Sequence, residues 1–232
     1  LNECEKEDHS FKRMKTIWII GIGKFGSLAA DRLEGIYRNC RFVLVDPAEE
    51  HLLKAEGPNR SLKQADGVSF LLRNLYPGKG PDWIIPALPV HLLAQWVIAK
   101  RKPHGVERIQ IPKAAISKLP NCFEGENGDV YVSHADFICP DDCPEPGNVC
   151  SVTGKKRKKN MFDLLYDIEL PGFRSIVVRS YQLAPGVGGY RPVQLFSALQ
   201  EISKNMNPIL LSTSCRCHGV VTGMKHKKLK RS

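Results

Sequence analysis

Nothing in the sequence is both long and apolar enough to cross a bilayer. The longest apolar stretch, Trp83 to Ala99, is interrupted by Pro86, Pro89, His91 and Gln95, whereas a spanning helix needs about 20 predominantly apolar residues in a row. A transmembrane helix is therefore not expected. Leu1 to Lys15 is densely charged and has no apolar core followed by a small-residue cleavage site, so nothing in that stretch marks it for secretion and the expected location is cytoplasmic. No internal repeat of useful length is present. What remains, 42% hydrophobic and 25% charged residues over 232 positions, is ordinary globular composition, enough for one large domain or two small ones.

Acidic residues are outnumbered, and the net charge is +10. Yet the excess sits in two runs, Lys155-Lys-Arg-Lys-Lys159 and the five basic residues Lys225, Lys227, Lys228, Lys230 and Arg231. Outside them the basic residues equal the 24 acidic ones. A nucleic-acid surface spreads its cations over a folded face with aromatic rings for stacking, and these runs contain no aromatic residue. They read as solvated charge in a loop and a tail, which argues against a nucleic-acid partner.

The first half alternates short apolar runs with helical patterns, as α/β chains do. Thr16 to Ile20 reads as a buried strand, Lys24 to Tyr37 as an amphipathic helix, Arg41 to Val45 as a strand and Pro47 to Ala55 as a helix. Val68 to Leu75 is apolar without a decisive period. Trp83 to Ile85 is a strand, followed by a helix to about Lys100, and Val106 to Ile111 is another strand. Beyond residue 120 the texture becomes Gly-, Asn- and Cys-rich. There, strands are expected at Ser175 to Leu183 and Pro208 to Ser212, with a helix from Pro192 to Lys204. The expected architecture is α/β: a doubly wound, mainly parallel Rossmann-like sheet with a Cys-rich C-terminal α/β segment. It divides into a flexible N-terminus (1–15), a dinucleotide-binding domain (16–120), the Cys-rich segment (121–223) and a basic tail (224–232).

Gly21-Ile22-Gly23-Lys24-Phe25-Gly26 matches G-x-G-x-x-G and follows a strand, opens a helix and is answered by Asp46 at the end of the next strand. Gly21 permits the tight turn. Gly23 lets the backbone approach a pyrophosphate, Gly26 lets the helix lie close to the strand, and the helix N-terminus offers free N–H groups to the anion. Asp46 would accept hydrogen bonds from the adenosine ribose hydroxyls and repel a 2′-phosphate, favouring NAD(H) over NADP(H). Thr16 to Leu33 together with Phe42 to Asp46 resembles the opening of the TrkA-N family, the NAD-binding domains that regulate potassium channels and transporters. The resemblance covers the first third of the chain and implies a Rossmann domain with an adenine nucleotide contacted by Gly21, Gly23, Gly26 and Asp46; Lys24 and Phe25, inside the same loop, are cofactor-binding candidates beside them. The family's usual Gly-Asp pair after the third strand is not matched by Ala65-Asp66-Gly67.

Of the eight cysteines, five fall into two groups, Cys139-x3-Cys143-x6-Cys150 and Cys215-Arg-Cys217-His218. The first lies in a segment rich in proline and glycine that has few apolar residues with which to fold, so it needs a staple. A zinc ion held by Cys139, Cys143, Cys150 and one of Cys215, Cys217 or His218 would serve, as would an iron–sulfur cluster on the same thiolates. Disulfides are disfavoured in a reducing compartment, and unligated thiols are the bland alternative. His134 and Asp136, two apart on a candidate strand, share a face just before Cys139.

Two further features are chemically suggestive. The stretch Ser180 to Pro192 carries Gly186, Gly188, Gly189 and Arg191, which read either as a cradle for a phosphate or carboxylate or as a connection needing positive φ angles. His91, just after the expected fourth strand, is the catalytic candidate. The resulting expectation is a nucleotide-sensing regulatory protein with an adenine dinucleotide ligand, a metal or iron–sulfur centre and room for a protein partner or an oligomer. The alternative is an NAD-dependent oxidoreductase working between the two Gly-rich loops.

Overall fold

The computed structural model describes residues 15–101 and 105–227. Of the expected N-terminal segment 1–15, residues 1–14 lie outside them and Lys15 opens the first strand; the last five residues of the basic tail lie outside them as well. Four strands form a parallel sheet: β1 (Lys15–Ile20), β2 (Cys40–Asp46), β3 (Arg60–Gln64) and β4 (Trp83–Pro86), in the spatial order β3-β2-β1-β4. The connections are helices α1 (Lys24–Ile36), α2 (Glu49–Lys54) and α3 (Gly67–Asn74). The ambiguous apolar stretch after Asp66 is thus a helix, and the Asp66 carboxylate caps it by accepting from Ser69 N–H at 2.8 Å, which satisfies one of the donors a helix start leaves free.

The two faces of this sheet bury different partners. Ile17, Ile19, Phe42 and Leu44 alternate onto the face covered by α1, through Ala29, Ala30 and Leu33, and by Leu52 of α2. Trp18, Ile20 and Val45 alternate onto the other face, against Phe70 and Leu71 of α3 and the helix α4 (Leu92–Lys100). Both faces being covered explains why these strands read as continuous apolar runs.

After α4 the chain enters a second sheet. The elements from here on are β5 (Val106–Ile109), α5 (Lys113–Ile116), β6 (Phe123–Glu124), β7 (Val130–Ser133), α6 (Met161–Tyr166), β8 (Arg174–Arg179), β9 (Tyr181–Ala184), β10 (Val187–Gly189), α7 (Pro192–Lys204), β11 (Ile209–Ser214) and β12 (His218–His226), with β9 and β10 forming a two-stranded sheet of their own outside the second sheet. The order in the second sheet is β6-β7-β12-β11-β8, with β5 also pairing to β12. Only β8 and β11 run parallel, joined across α7; the other pairs are antiparallel. The second sheet is therefore mixed.

Three departures from the expected layout are informative. The strand at Val106 leaves the parallel sheet and pairs with β12, so the change of sheet occurs after α4 rather than near residue 120. Residues 224–226, assigned to a basic tail, belong to β12, where Lys225 pairs with Glu107 at 3.5 Å. The strand expected over Ser175 to Leu183 is two strands, β8 and β9, and β9 turns into a hairpin with β10. That hairpin reaches back to the first sheet through reciprocal backbone hydrogen bonds between Ile84 and Tyr190, 2.9 and 3.0 Å. One apolar core accordingly runs from Trp18 and Ile84 through α4 to Ile176, Leu195, Leu211 and Met224. Wedged between sheets, α4 is apolar nearly all round, with Leu92, Leu93, Ala94, Trp96 and Val97 buried.

Candidate functional site

The loop between β1 and α1 assigns a separate task to each glycine. Gly21 has φ +93°, and a Cβ there would lie 2.6 Å from the Ala87 carbonyl oxygen. Gly26 is pressed to the turn: its Cβ would lie 1.9 Å from the Gly21 carbonyl oxygen. At Gly23 a Cβ would meet nothing within 4 Å. The first and third glycines are thus demanded by packing, whereas the second borders open space. Gly23 is also the N-cap of α1, no side chain caps it, and the first turn holds no acidic residue. The helix begins as a positive dipole end with donors to spare.

Asp46 closes this loop from the end of β2. It is 6% exposed, and its carboxylate accepts from Ile22 N–H at 2.6 Å and from Ala48 N–H at 2.9 Å. His51 Nδ1 stands 3.2 Å from the same group. A carboxylate has about four lone-pair sites, so the two backbone donors and His51 leave room for one further donor, a ribose hydroxyl. His51 escaped the sequence reading; the signal available was its position five residues after Asp46 in a helix that starts beside it.

The cysteine-rich segment lies against this region. Lys24, in the first turn of α1, pairs with Asp141 at 2.7 Å, and Arg32 donates to the Asp141 and Pro185 carbonyls at 2.7 and 2.8 Å. Gly186 N–H and Gln182 Nε2 both bond to the Cys143 carbonyl, at 2.9 and 2.6 Å. No local pattern signals these ties, since they join residues more than a hundred positions apart or meet only through the hairpin.

That packing also settles the second Gly-rich stretch. Gly186 has φ +69° at the β9–β10 turn, with the Asp141 carbonyl 1.7 Å from where a Cβ would be; Gly188 abuts Ser180 and Gly189 abuts Ile84 and Ile85. The Arg191 guanidinium lies over the Trp83 ring, 4.9 Å from its centroid. The Cα side of each of the three glycines is taken up by protein, so the hairpin by itself accounts for them.

Within the thiol group, Cys139 Sγ is 3.4 Å from His218 Nε2, and Arg157 Nη1 donates to Cys217 Sγ at 3.0 Å. Cys143 Sγ is 3.3 Å from Ser151 Oγ. Burial pushes the Cys139 thiol up, and its Cys143 and Cys150 neighbours push it further. Burial pushes Cys217 up to about 11 against the pull of Arg157, with Cys143 and Cys139 close enough to add to the rise. Cys150 moves down because the Thr153 hydroxyl and the Thr153 and Val152 N–H groups bond to it. Burial and then the Glu145 carboxylate raise Cys215; its sulfur accepts from Cys217 and His218 N–H, each at 3.4 Å, and stands 3.9 Å from His218 Nδ1. Burial lowers both His218 and His134, and His134 Nε2 has no hydrogen-bond partner among the described residues. Among those residues no three His, Cys, Asp or Glu donors already meet around one point, and the seven described cysteines are free thiols.

The run Lys155–Lys159 is not simply solvated. Arg157 turns inward, bonding to the Pro146 and Gly147 carbonyls as well as to Cys217, and Lys159 pairs with Asp167.

The catalytic candidate His91 is 1% exposed. Its Nδ1 is 2.7 Å from Thr222 Oγ1, and the Thr222 hydroxyl donates to Asp129, which Arg108 also pairs. With the single hydroxyl proton committed to Asp129, the oxygen accepts from His91 Nδ1–H, fixing the tautomer. Burial holds His91 down to about 4, with Asp129 raising and Arg108 lowering it further. His91 therefore ties the loop after β4 to β12 as a neutral, enclosed group, out of reach of a substrate.

No helix among the described residues is long and apolar enough to cross a membrane. No solved structure matches the chain. A protein of Archaeoglobus fulgidus described as "Uncharacterized protein" is 30% identical over 224 residues, 89% of this chain and 98% of the relative; the likeness thus reaches into the parallel sheet. Residues 91–227, from the end of the β4 loop through β12, match the AF_1314_C family model, described as "Uncharacterized protein, C-terminal domain". With more than half of its length matched, the chain belongs to the AF_1314_C family.

Proposed function

We propose that the protein binds the adenosine diphosphate half of NAD(H) at the C-terminal end of the parallel sheet and acts as a nucleotide-sensing regulator. The observation that carries this reading is the open space at Gly23, beside an uncapped start of a 13-residue helix, in a loop whose other two glycines are fully packed. A diphosphate there would meet backbone N–H donors and the helix dipole. The ribose would meet Asp46, whose negative charge opposes a 2′-phosphate. The strand order β3-β2-β1-β4 puts this loop at the first crossover of the sheet, and the resemblance of Thr16 to Asp46 to TrkA-N domains points the same way.

The sensing part rests on Lys24. Its side chain is 68% exposed and its ammonium group is bound to Asp141, whose side chain is 38% exposed, and ion pairs in such surroundings are worth at most about 1 kcal/mol. A diphosphate arriving at the helix start competes for that cation and frees Asp141, which loosens the segment around Cys139 and Cys143. The Cys-rich lobe is then the surface a protein partner would read. Hydrogen exchange tests this directly. NADH is expected to change exchange over residues 139–150 as well as over 21–26, and Lys24→Ala is expected to abolish the distant change alone. Protection confined to the glycine loop in the unsubstituted protein would refute the sensing reading.

A further inference from the structure

Independently of the nucleotide reading, we infer that Cys139, Cys143, Cys217 and His218 Nε2 form a closed tetrahedral site for one zinc-class divalent cation. Several observations converge on these four. Cys139 Sγ and His218 Nε2 are 3.4 Å apart. A thiolate about 2.3 Å and an imidazole nitrogen about 2.0–2.1 Å from one tetrahedral ion stand roughly 3.5 Å apart, so this pair already has the separation of two ligands on a single ion. Cys143 and Cys139 lie close enough to raise Cys217, and Cys143 and Cys150 close enough to raise Cys139, while the Cys150 sulfur is already bonded by Thr153 and Val152. Among the described residues no three such donors meet around one point, so closing the site on an ion takes movement of the other side chains.

The surroundings supply the supporting shell that metal ligands require. The Cys215 sulfur accepts N–H bonds from Cys217 and His218, a tight turn that presents those two residues side by side, and it stands 3.9 Å from His218 Nδ1, on the opposite nitrogen from the one beside Cys139. Arg157 donates to Cys217 Sγ and to the carbonyls of Pro146 and Gly147, so it balances thiolate charge while tying the ligand loop to β12. The Cys143 carbonyl takes two hydrogen bonds from the β9–β10 hairpin. Between Phe137 and Asn160 lies a segment with no helix or strand and few buried apolar side chains, and it keeps a defined course through these polar ties. Four protein ligands without an open position describe a structural ion rather than a catalytic one. A mixed thiolate and imidazole set at single-ion separation favours zinc over an iron–sulfur cluster.

The test is metal analysis of the full-length chain with a Co2+ titration of the metal-stripped protein. One zinc per chain is expected, and Co2+ should give the intense ligand-field bands of a tetrahedral site together with thiolate-to-cobalt charge transfer. Cys139→Ser, Cys217→Ser and His218→Ala should each lower cobalt affinity by tenfold or more, while Cys122→Ser and Cys150→Ser leave it within about twofold. Because a Cys→Ser chain can fail to fold, the spectrum of the unsubstituted protein is decisive by itself. Weak octahedral cobalt bands without charge transfer overturn the site. So does a coloured iron-containing protein, or loss of binding in Cys150→Ser with retention in His218→Ala.

Discussion

Replacing Gly26 with alanine would put a methyl carbon 1.9 Å from the Gly21 carbonyl oxygen. That oxygen belongs to the backbone of a turn held by Gly21 N–H bonding to the Val45 carbonyl at 2.8 Å, so it cannot swing aside, and α1 must move off β1 instead. Overpacking of this kind costs about 1–3 kcal/mol, and sometimes more. With backbone as the obstacle, the upper end applies. For a chain of this size each kcal/mol lowers the melting temperature by about 2–4 °C, giving a drop of roughly 6–12 °C. Gly23→Val is the counterpart. Its Cβ meets nothing within 4 Å, and its backbone is outside the left-handed region at φ −73°, so the main loss is the N-cap preference for glycine over an aliphatic residue, about 1 kcal/mol. The valine nevertheless occupies the place assigned to the diphosphate. ADP at 100 times its dissociation constant stabilises the unsubstituted protein by about 2.7 kcal/mol, a rise of roughly 5–11 °C. Gly23→Val should melt within about 4 °C of the parent and show no such rise. Thermal denaturation followed by circular dichroism, with and without ADP, reads both quantities. The reasoning is refuted if Gly26→Ala melts within a degree or two of the parent, or if Gly23→Val keeps the full ADP shift.

Three other outcomes follow from the same geometry. Ile22 and Ala48 N–H bond to different oxygens of Asp46, so Asp46→Asn keeps an acceptor for only one of them; it also removes the charge that repels a 2′-phosphate, and the preference for NADH over NADPH should fall by tenfold or more in competitive titrations. His91 is held neutral in the folded protein down to about pH 4, whereas the unfolded chain takes up its proton near pH 6.5. Acidification from 6.5 to 4 therefore favours the unfolded state, by about 3 kcal/mol at the end of that window. Urea unfolding across it should show the loss, and His91→Gln should flatten the slope. Arg157→Ala removes the donor to Cys217 Sγ and to two carbonyls and should cost about 2 kcal/mol, whereas Lys156→Ala, in the exposed part of the same run, should lie within about 0.5 kcal/mol of the parent. Paired urea titrations distinguish the two.

How far the sequence reached depends on which forces leave a local trace. β1, α1 and β2 were legible because both sheet faces are covered, which writes continuous apolar runs, and because the glycine spacing encodes close approach of helix to strand. α7 was legible to the residue, from Pro192 in its first turn and its apolar period to Lys204. β3 was not, because it is an edge strand in which Leu62 is the sole apolar residue of Arg60–Gln64 and none of the five is buried. β12, with Gly219 and Gly223 inside it and histidines at both ends, resembles neither an alternating strand nor a core run, yet it is the central partner of β11, β7 and β5. The partner of Val106–Ile109 was equally hidden, since pairing across more than a hundred residues has no local signature. The same limit applies to the sites. The glycine loop and Asp46 announced themselves by spacing, whereas Lys24 with Asp141, Arg157 with Cys217 and the enclosure of His91 arise from tertiary contacts. Gly186, Gly188 and Gly189 show the converse: a glycine pattern suggestive of anion binding that serves backbone approach in a hairpin.

The central claim is that the Gly21–Gly26 loop and Asp46 hold an adenine dinucleotide. Isothermal titration calorimetry of the intact chain with NADH, ADP and NADPH tests it most directly. The account predicts saturable one-to-one heat with NADH and ADP, and at least tenfold weaker binding of NADPH. Absence of heat with both NADH and ADP, or equal affinity for NADH and NADPH, would contradict it.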